Sequence, residues 1–223
     1  MIPWETLGTA RAPEGGQLVL YRRGGEFVIR VNGRELMTSR AHGSEEHLAR
    51  LACARLAGRE SARVLVGGLG LGYTLRATLD AVPAGAEVIV AEIVPAVVEW
   101  NRGPLAHLAG RPLEDPRATV RIADVGAVLR QATTRFDAIL LDVDNGPQGL
   151  TRKVNQLLYG DAGLGLARRA LRPGGALAVW SAERDEPFLR RLRKAGFSAS
   201  AHDVPARGRG GGPNHTIFLG IVE

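Results

Sequence analysis

The stretch Val64-Leu65-Val66-Gly67-Gly68-Leu69-Gly70-Leu71-Gly72-Tyr73 decides how the rest of the chain is read. A short apolar run breaks into glycine, and a helical pattern starts at about Tyr73, which predicts strand, turn and helix in succession. Glycine permits a tight turn there and lets a ligand come close to the main chain. The spacing then narrows the ligand. Gly68, Gly70 and Gly72 form G-x-G-x-G, whereas a dinucleotide-binding turn needs G-x-G-x-x-G, and no register of this loop supplies it. No Gly-Lys-Ser/Thr follows, so a phosphate-cradling P-loop is excluded as well. The loop suits a nucleoside without a pyrophosphate; a glycine turn needed only for packing is the plainer alternative.

Downstream, strand and helix patterns alternate. Strands are predicted over 87–91, 119–122, 136–141 and 176–180, and helices over 96–100, 162–171 and 186–194. The run 136–141 is continuously apolar, as a strand covered on both faces should be. The 162–171 helix is expected to stop at Arg172-Pro173-Gly174-Gly175. Two last strands, over 198–204 and 216–222, flank the glycine-rich Gly208–Gly212 turn. This order implies an α/β fold, a doubly wound Rossmann-like seven-stranded mainly parallel sheet closed by a hairpin. Upstream, 17–37 reads as two or three short strands with turns at Arg23-Gly24-Gly25 and Asn32-Gly33. Ser44 is placed to cap a helix whose Glu45 and Glu46 suit its positive end and which carries Leu48, Leu51, Ala52 and Leu56 at helical spacing. The chain divides into a short N-terminal β-hairpin extension, 1–43, and a Rossmann-like domain, 44–223.

In such sheets a ligand sits outside the carboxyl ends of the strands, near the point where strand order reverses. The second strand ends in Glu92, which can accept both hydroxyls of a ribose. The third ends in Asp124, where a carboxylate or its backbone neighbour can meet an adenine amino group. The fourth runs into Asp142-Val143-Asp144-Asn145-Gly146-Pro147, two carboxylates and an amide at the pocket mouth. An aspartate there can orient or deprotonate an incoming amine, although an Asx-turn before Gly-Pro would use the same residues. A calcium loop is excluded, because Lys153 stands where the bidentate glutamate should be. None of the five histidines has metal-ligand spacing with a carboxylate, so no metal is expected.

Composition bounds the rest. The 223 residues carry 29 basic and 23 acidic side chains, a net charge of +6. Only Lys153 and Lys194 are lysines, and the arginines are scattered among acids. That pattern favours an arginine-rich surface over an RNA partner, and no aromatic residues interleave with the basic ones as a single-strand stacking platform requires. There is no apolar run of ~20 residues for a membrane span and no leader-like N-terminus. With Cys53 as the lone cysteine, expected to be buried and inert, these features point to the cytoplasm.

The strand–GGLGLG–helix, the Glu92 and Asp124 strand ends and the FDAILLDVDNGP segment together resemble the class I S-adenosylmethionine-dependent methyltransferase fold. More narrowly they resemble its spermidine synthase (polyamine aminopropyltransferase) branch, over about 17–200. The resemblance implies that Gly68, Gly70 and Gly72 line the methionine-like part of the co-substrate and that Glu92 holds its ribose. Ile93 would pack on adenine, with Asp124 and Val125 at the adenine amino edge. Asp142 would receive the proton of the attacking amine, and Asp144 and Asn145 would shape the acceptor pocket. It implies S-adenosylmethionine or its decarboxylated form as co-substrate, a small-molecule amine acceptor, and homodimers associating through the N-terminal strands.

The pattern departs from the family's at named positions. Leu71 replaces the aspartate of GGGDGG that holds the donor's amine. Asn145 stands for the second acid of D-S-S-D-P, Leu36 for a glutamine after the D-G turn, and Leu48-Ala49 for a Tyr-His pair. With those polyamine contacts missing, the expectation is alkyl transfer to an amine acceptor that need not be a polyamine. The alternative is a methyltransferase acting on a small molecule or RNA.

Overall fold

The computed structural model describes residues 2–12, 15–143, 147, 157–207 and 212–223. The chain opens with β1 (Glu5–Arg11), β2 (Gln17–Arg23), β3 (Glu26–Val31) and β4 (Arg34–Thr38). They form a four-stranded antiparallel meander in sequence order. The extension is thus larger than a hairpin. Its unforeseen member, β1, has Leu7 as its sole large apolar residue and so shows no alternation to read. The β3–β4 turn holds Asn32 at φ 50° and Gly33 at φ 79°, the two positive values that a two-residue hairpin turn of matching twist demands.

Helix α1 (Gly43–Cys53) follows, and then strands and helices alternate. They are β5 (Arg63–Gly67), α2 (Tyr73–Ala81), β6 (Glu87–Glu92), α3 (Pro95–Arg102), β7 (Ala118–Ile122) and α4 (Val125–Arg130). Next come β8 (Phe136–Leu141), α5 (Asp161–Ala170), β9 (Leu171–Ser181), α6 (Glu186–Lys194), β10 (Ser198–Pro205) and β11 (Asn214–Ile221). The large sheet has seven strands, as expected, in the order β10-β11-β9-β8-β5-β6-β7. Strands β5 to β9 pair in parallel, and β11 runs antiparallel to β9 and β10.

Three local expectations change. Ser44 lies inside the first turn of α1 and caps nothing; His42 precedes the helix. Strand β9 begins at Leu171, directly after α5, and Leu171 pairs with Phe136, so Arg172–Gly175 belongs to the strand. Helix α4, six residues long, is too short to show a period, but Asp124 caps it by accepting from Ala127 N at 2.8 Å.

The core sits on both faces of the large sheet, and the two-residue period of its strands sorts it. Val64, Val66, Val88, Val90, Ala138 and Leu140 face one side, with α1, α2, α3 and the four-stranded sheet. Leu65, Ile89, Ile139, Leu141, Leu177 and Val179 face the other, with α4, α5 and α6. Among the described residues, no helix is long and apolar enough to cross a membrane.

Candidate active site

The chain runs from β5 outward to β6 and β7, then returns across β5 to β8. The reversal therefore lies between β5 and β8, and the crevice opens at the carboxyl ends of these two strands. After β5 the turn carries Gly68 at φ +88°, and a Cβ there would lie 2.3 Å from the carbonyl oxygen of Asp142. Both the left-handed backbone and the close approach of the β8 end exclude a side chain at this position. Asp142 N donates to Gly67 O at 2.9 Å, so turn and strand end are locked together. Asn101 of α3 steadies the turn from behind by donating to Gly70 O at 2.8 Å.

Glu92 ends β6 and is 7% exposed. One carboxylate oxygen accepts from Leu69 N at 3.0 Å and the other from Val94 N at 2.8 Å. Burial pushes its pKa up, against these backbone donors, which favour the charged form. The backbone of Gly70 and of Ile93 also favours the charged form, so the carboxylate is held between the glycine turn and its own strand end. Beside it Ile93 is 46% exposed, one of the few large apolar side chains that the fold leaves open. Asp124 uses one oxygen on the α4 cap and stands 3.7 Å from Arg130 Nη2. A cleft of about 770 Å³ joins Gly68, Gly70, Glu92, Ile93, Asp124 and Val125. Its roof is the four-stranded sheet, through Ile29, Val31 and Met37.

Gly72 stands apart from that cleft. It precedes α2 at φ +87°, and a Cβ there would meet Asn101 Oδ1 at 2.9 Å. The other six expected donor residues meet in one place. Asp142 lines the same cleft and also a second one of about 370 Å³. Thr74, in the first turn of α2, donates to Asp142 at 2.5 Å. Burial raises the Asp142 carboxyl from 3.8 to about 6, against that hydrogen bond. The expected acceptor residues Asp144 and Asn145 lie outside the described residues.

The second cleft holds residues that the sequence pattern did not single out. Leu48 and Ala49 are fully buried in the core, and α1 instead turns Glu45 into the cleft. Burial and the nearby Asp142 charge push the Glu45 carboxyl up to about 8. Leu71, Tyr73 and Trp180 supply apolar and aromatic wall, and Trp180 Nε1 donates to Ser44 Oγ at 3.0 Å. Tyr159, by contrast, packs in the core against Phe188. Glu45 sits four residues before Ala49, in the first turn of a helix, where an acid reads as a match for the helix's positive end, and that reading hid it. Cys53 is buried, which pushes its thiol to about 12, and takes no part. Among the described residues, no group of three or more His, Cys, Asp or Glu side chains could hold a metal ion.

The chain is 27% identical over 201 residues to a polyamine aminopropyltransferase of Mycobacterium tuberculosis, covering 84% of this chain and 36% of that protein. It is 30% identical over 161 residues to polyamine aminopropyltransferase 1 of Streptomyces coelicolor, covering 66% of this chain and 29% of that protein. It thus spans about a third of the length of these relatives. Among solved structures, the spermidine synthase of Thermotoga maritima superposes with a TM-score of 0.74 at 18% identity, covering 98% of this chain and 73% of that one. A spermidine synthase in complex with the transition-state analogue AdoDATO gives 0.76 at 19%, covering 98% and 74%. At those identities the structures speak for the fold, and the fold is theirs. A sequence model of the spermine/spermidine synthase domain matches residues 43–191, two thirds of the chain, and the chain belongs to the spermine/spermidine synthase family.

Proposed function

We propose that this protein transfers the aminopropyl group of decarboxylated S-adenosylmethionine to a primary amine of a di- or polyamine. The observation that carries the reading is the meeting of two clefts at Asp142, one with the furniture of a nucleoside site and one lined by carboxylates. In the larger cleft Glu92 would accept the ribose hydroxyls. Ile93 would lie against the adenine face, and Asp124 and Val125 would meet its amino edge. Gly68 and Gly70 leave the main chain bare beside the sulfonium, and Gly72 serves by turning the chain into α2.

The sulfonium carbon is already electrophilic, so the protein has to supply position and a proton acceptor. The amine lone pair forms the new C–N bond while the C–S bond breaks. The sulfur leaves as neutral methylthioadenosine, and the nitrogen gives its proton to Asp142. Thr74 holds the carboxylate toward the junction. The names of the relatives favour aminopropyl over methyl transfer and, against the family contacts missing from the sequence, a polyamine acceptor; a carboxylate-lined acceptor cleft favours an amine over RNA.

Thermal shifts with decarboxylated S-adenosylmethionine, S-adenosylmethionine, methylthioadenosine and NAD test the donor. A ligand at 100 times its dissociation constant adds about 2.7 kcal/mol, or roughly 5–10 °C in a domain of this size. The expected result is a shift with the decarboxylated donor and methylthioadenosine that Glu92→Gln reduces by more than half. Mass spectrometry of the amine product identifies the transferred group. A shift with NAD alone, or a methylated product, would overturn the reading.

A further inference from the structure

The acidic side chains of this arginine-rich chain mostly find cations. Glu26, Asp115 and Asp137 are each paired with an arginine although largely buried. Asp142 and Glu45 are the exceptions that matter. None of the described Arg, Lys or His side chains pairs with either, and both line the same 370 Å³ cleft. Two half-buried carboxyls without a counter-charge are costly to ionise unless something else brings the charge.

Glu45 is also oriented. Ser44 is fully buried, and its hydroxyl donates to Glu45 at 2.6 Å. Ser44 Oγ also accepts from Trp180 Nε1 at 3.0 Å and lies 2.9 Å from His215 Nδ1. Burial holds the His215 pKa down, so it adds no positive charge. Strands β9 and β11 thus act through one serine to aim a carboxyl of α1. Arg207 lines the mouth of the cleft, without an ion pair to either acid. Leu71, Tyr73 and Trp180 provide the apolar walls that a methylene chain would need.

We infer that Glu45 is the acceptor-selecting residue of this protein: it receives the remote ammonium of a diamine whose other nitrogen lies against Asp142. This deepens the proposed function and rests on it for the identity of the reacting end. Ser44, Trp180 and His215 are positioning residues in this scheme. The elevated Glu45 and Asp142 carboxyls fit an empty cleft awaiting its cation, since an ammonium between them would bring both back toward their ordinary range.

Calorimetric titration in the presence of saturating methylthioadenosine tests it, with 1,4-diaminobutane and 1-aminobutane as paired probes. The wild-type protein is expected to prefer the diamine by about tenfold or more, the usual worth of a charge-assisted hydrogen bond. Glu45→Gln should bind both amines alike, within about threefold, while Glu45→Asp keeps part of the preference. An unchanged thermal shift with methylthioadenosine shows that the variants are folded and hold the nucleoside. A wild-type protein without preference, or a Glu45→Gln variant that retains it, overturns the assignment. Product formation is followed in parallel, so that diamine selectivity without aminopropyl transfer would sink the proposed reaction and leave Glu45 standing.

Discussion

Asp142 is asked to be charged in a place that disfavours charge. Its carboxyl is raised from 3.8 to about 6 by burial, with Thr74 opposing the shift. A carboxyl that holds its proton more tightly in the folded state contributes stability that is full below about 4 and is lost as pH rises through about 6. Asp142→Asn removes that loss. The variant should be about 1–3 kcal/mol more stable than the parent at pH ~8 and equal to it at pH ~4, read from denaturant midpoints. Its turnover should fall about 10²–10⁴-fold while methylthioadenosine still binds, because general-base catalysis is lost but the nucleoside cleft is not. In the parent, turnover should rise from the acid side with an apparent pKa near 6 that belongs to the Asp142–Glu45 pair. Such opposed effects of one substitution would mark a group kept for chemistry at the expense of stability.

At the scale of the elements, the site depends on strand ends staying in register, and the opposite ends of the same strands are clamped. Asp137, near the start of β8, is 3% exposed. It accepts from Arg59 at 2.7 Å, from the backbone N of Arg63 at 2.8 Å and from Arg172 at 2.7 Å. One carboxylate thereby ties the lead-in to β5, β5 itself and β9 to β8. Removing one partner of a buried ion pair costs ~3–5 kcal/mol. Both guanidinium groups here are more than two-fifths exposed, so about 2–3 kcal/mol is the discounted expectation. Asp137→Ala should lower the urea midpoint accordingly with an unchanged m value. The donor-induced thermal shift should persist, since the clamp lies at the far end of the sheet from the clefts.

For the whole molecule, the four-stranded sheet and the large sheet share one apolar cluster, in which Leu20 and Ile29 meet the residues of α1, α2 and α3. The indole of Trp100 lies so close to β1 that a Cβ on Gly8 would come within 2.4 Å of its Nε1. The roof of the larger cleft is therefore part of the same packed unit as its floor. Unfolding should be a single cooperative transition, with tryptophan fluorescence and far-UV circular dichroism superimposing. Gly8→Ala should lower the midpoint of both probes together. Two separate transitions would show instead that the roof melts independently.

The succession of strands and helices, the glycine turn and the acids at the ends of β6, β7 and β8 were legible in the sequence, whereas the lateral order of the strands, which puts the reversal beside that turn, was not. Local rules govern each of the former: a period of two in a buried strand, glycine where the main chain must turn left-handed, a carboxylate one residue beyond an apolar run. Strand β1 and helix α4 escaped because one lacks an apolar alternation and the other is shorter than the period that would reveal it. The smaller cleft, proposed to take the acceptor, escaped for a different reason. Glu45, Ser44, Trp180 and His215 come from three elements up to 171 residues apart, and each alone reads as an ordinary helix or strand residue. Their convergence is set by how α1 packs across β9 and β11, a long-range contact that no window of sequence contains.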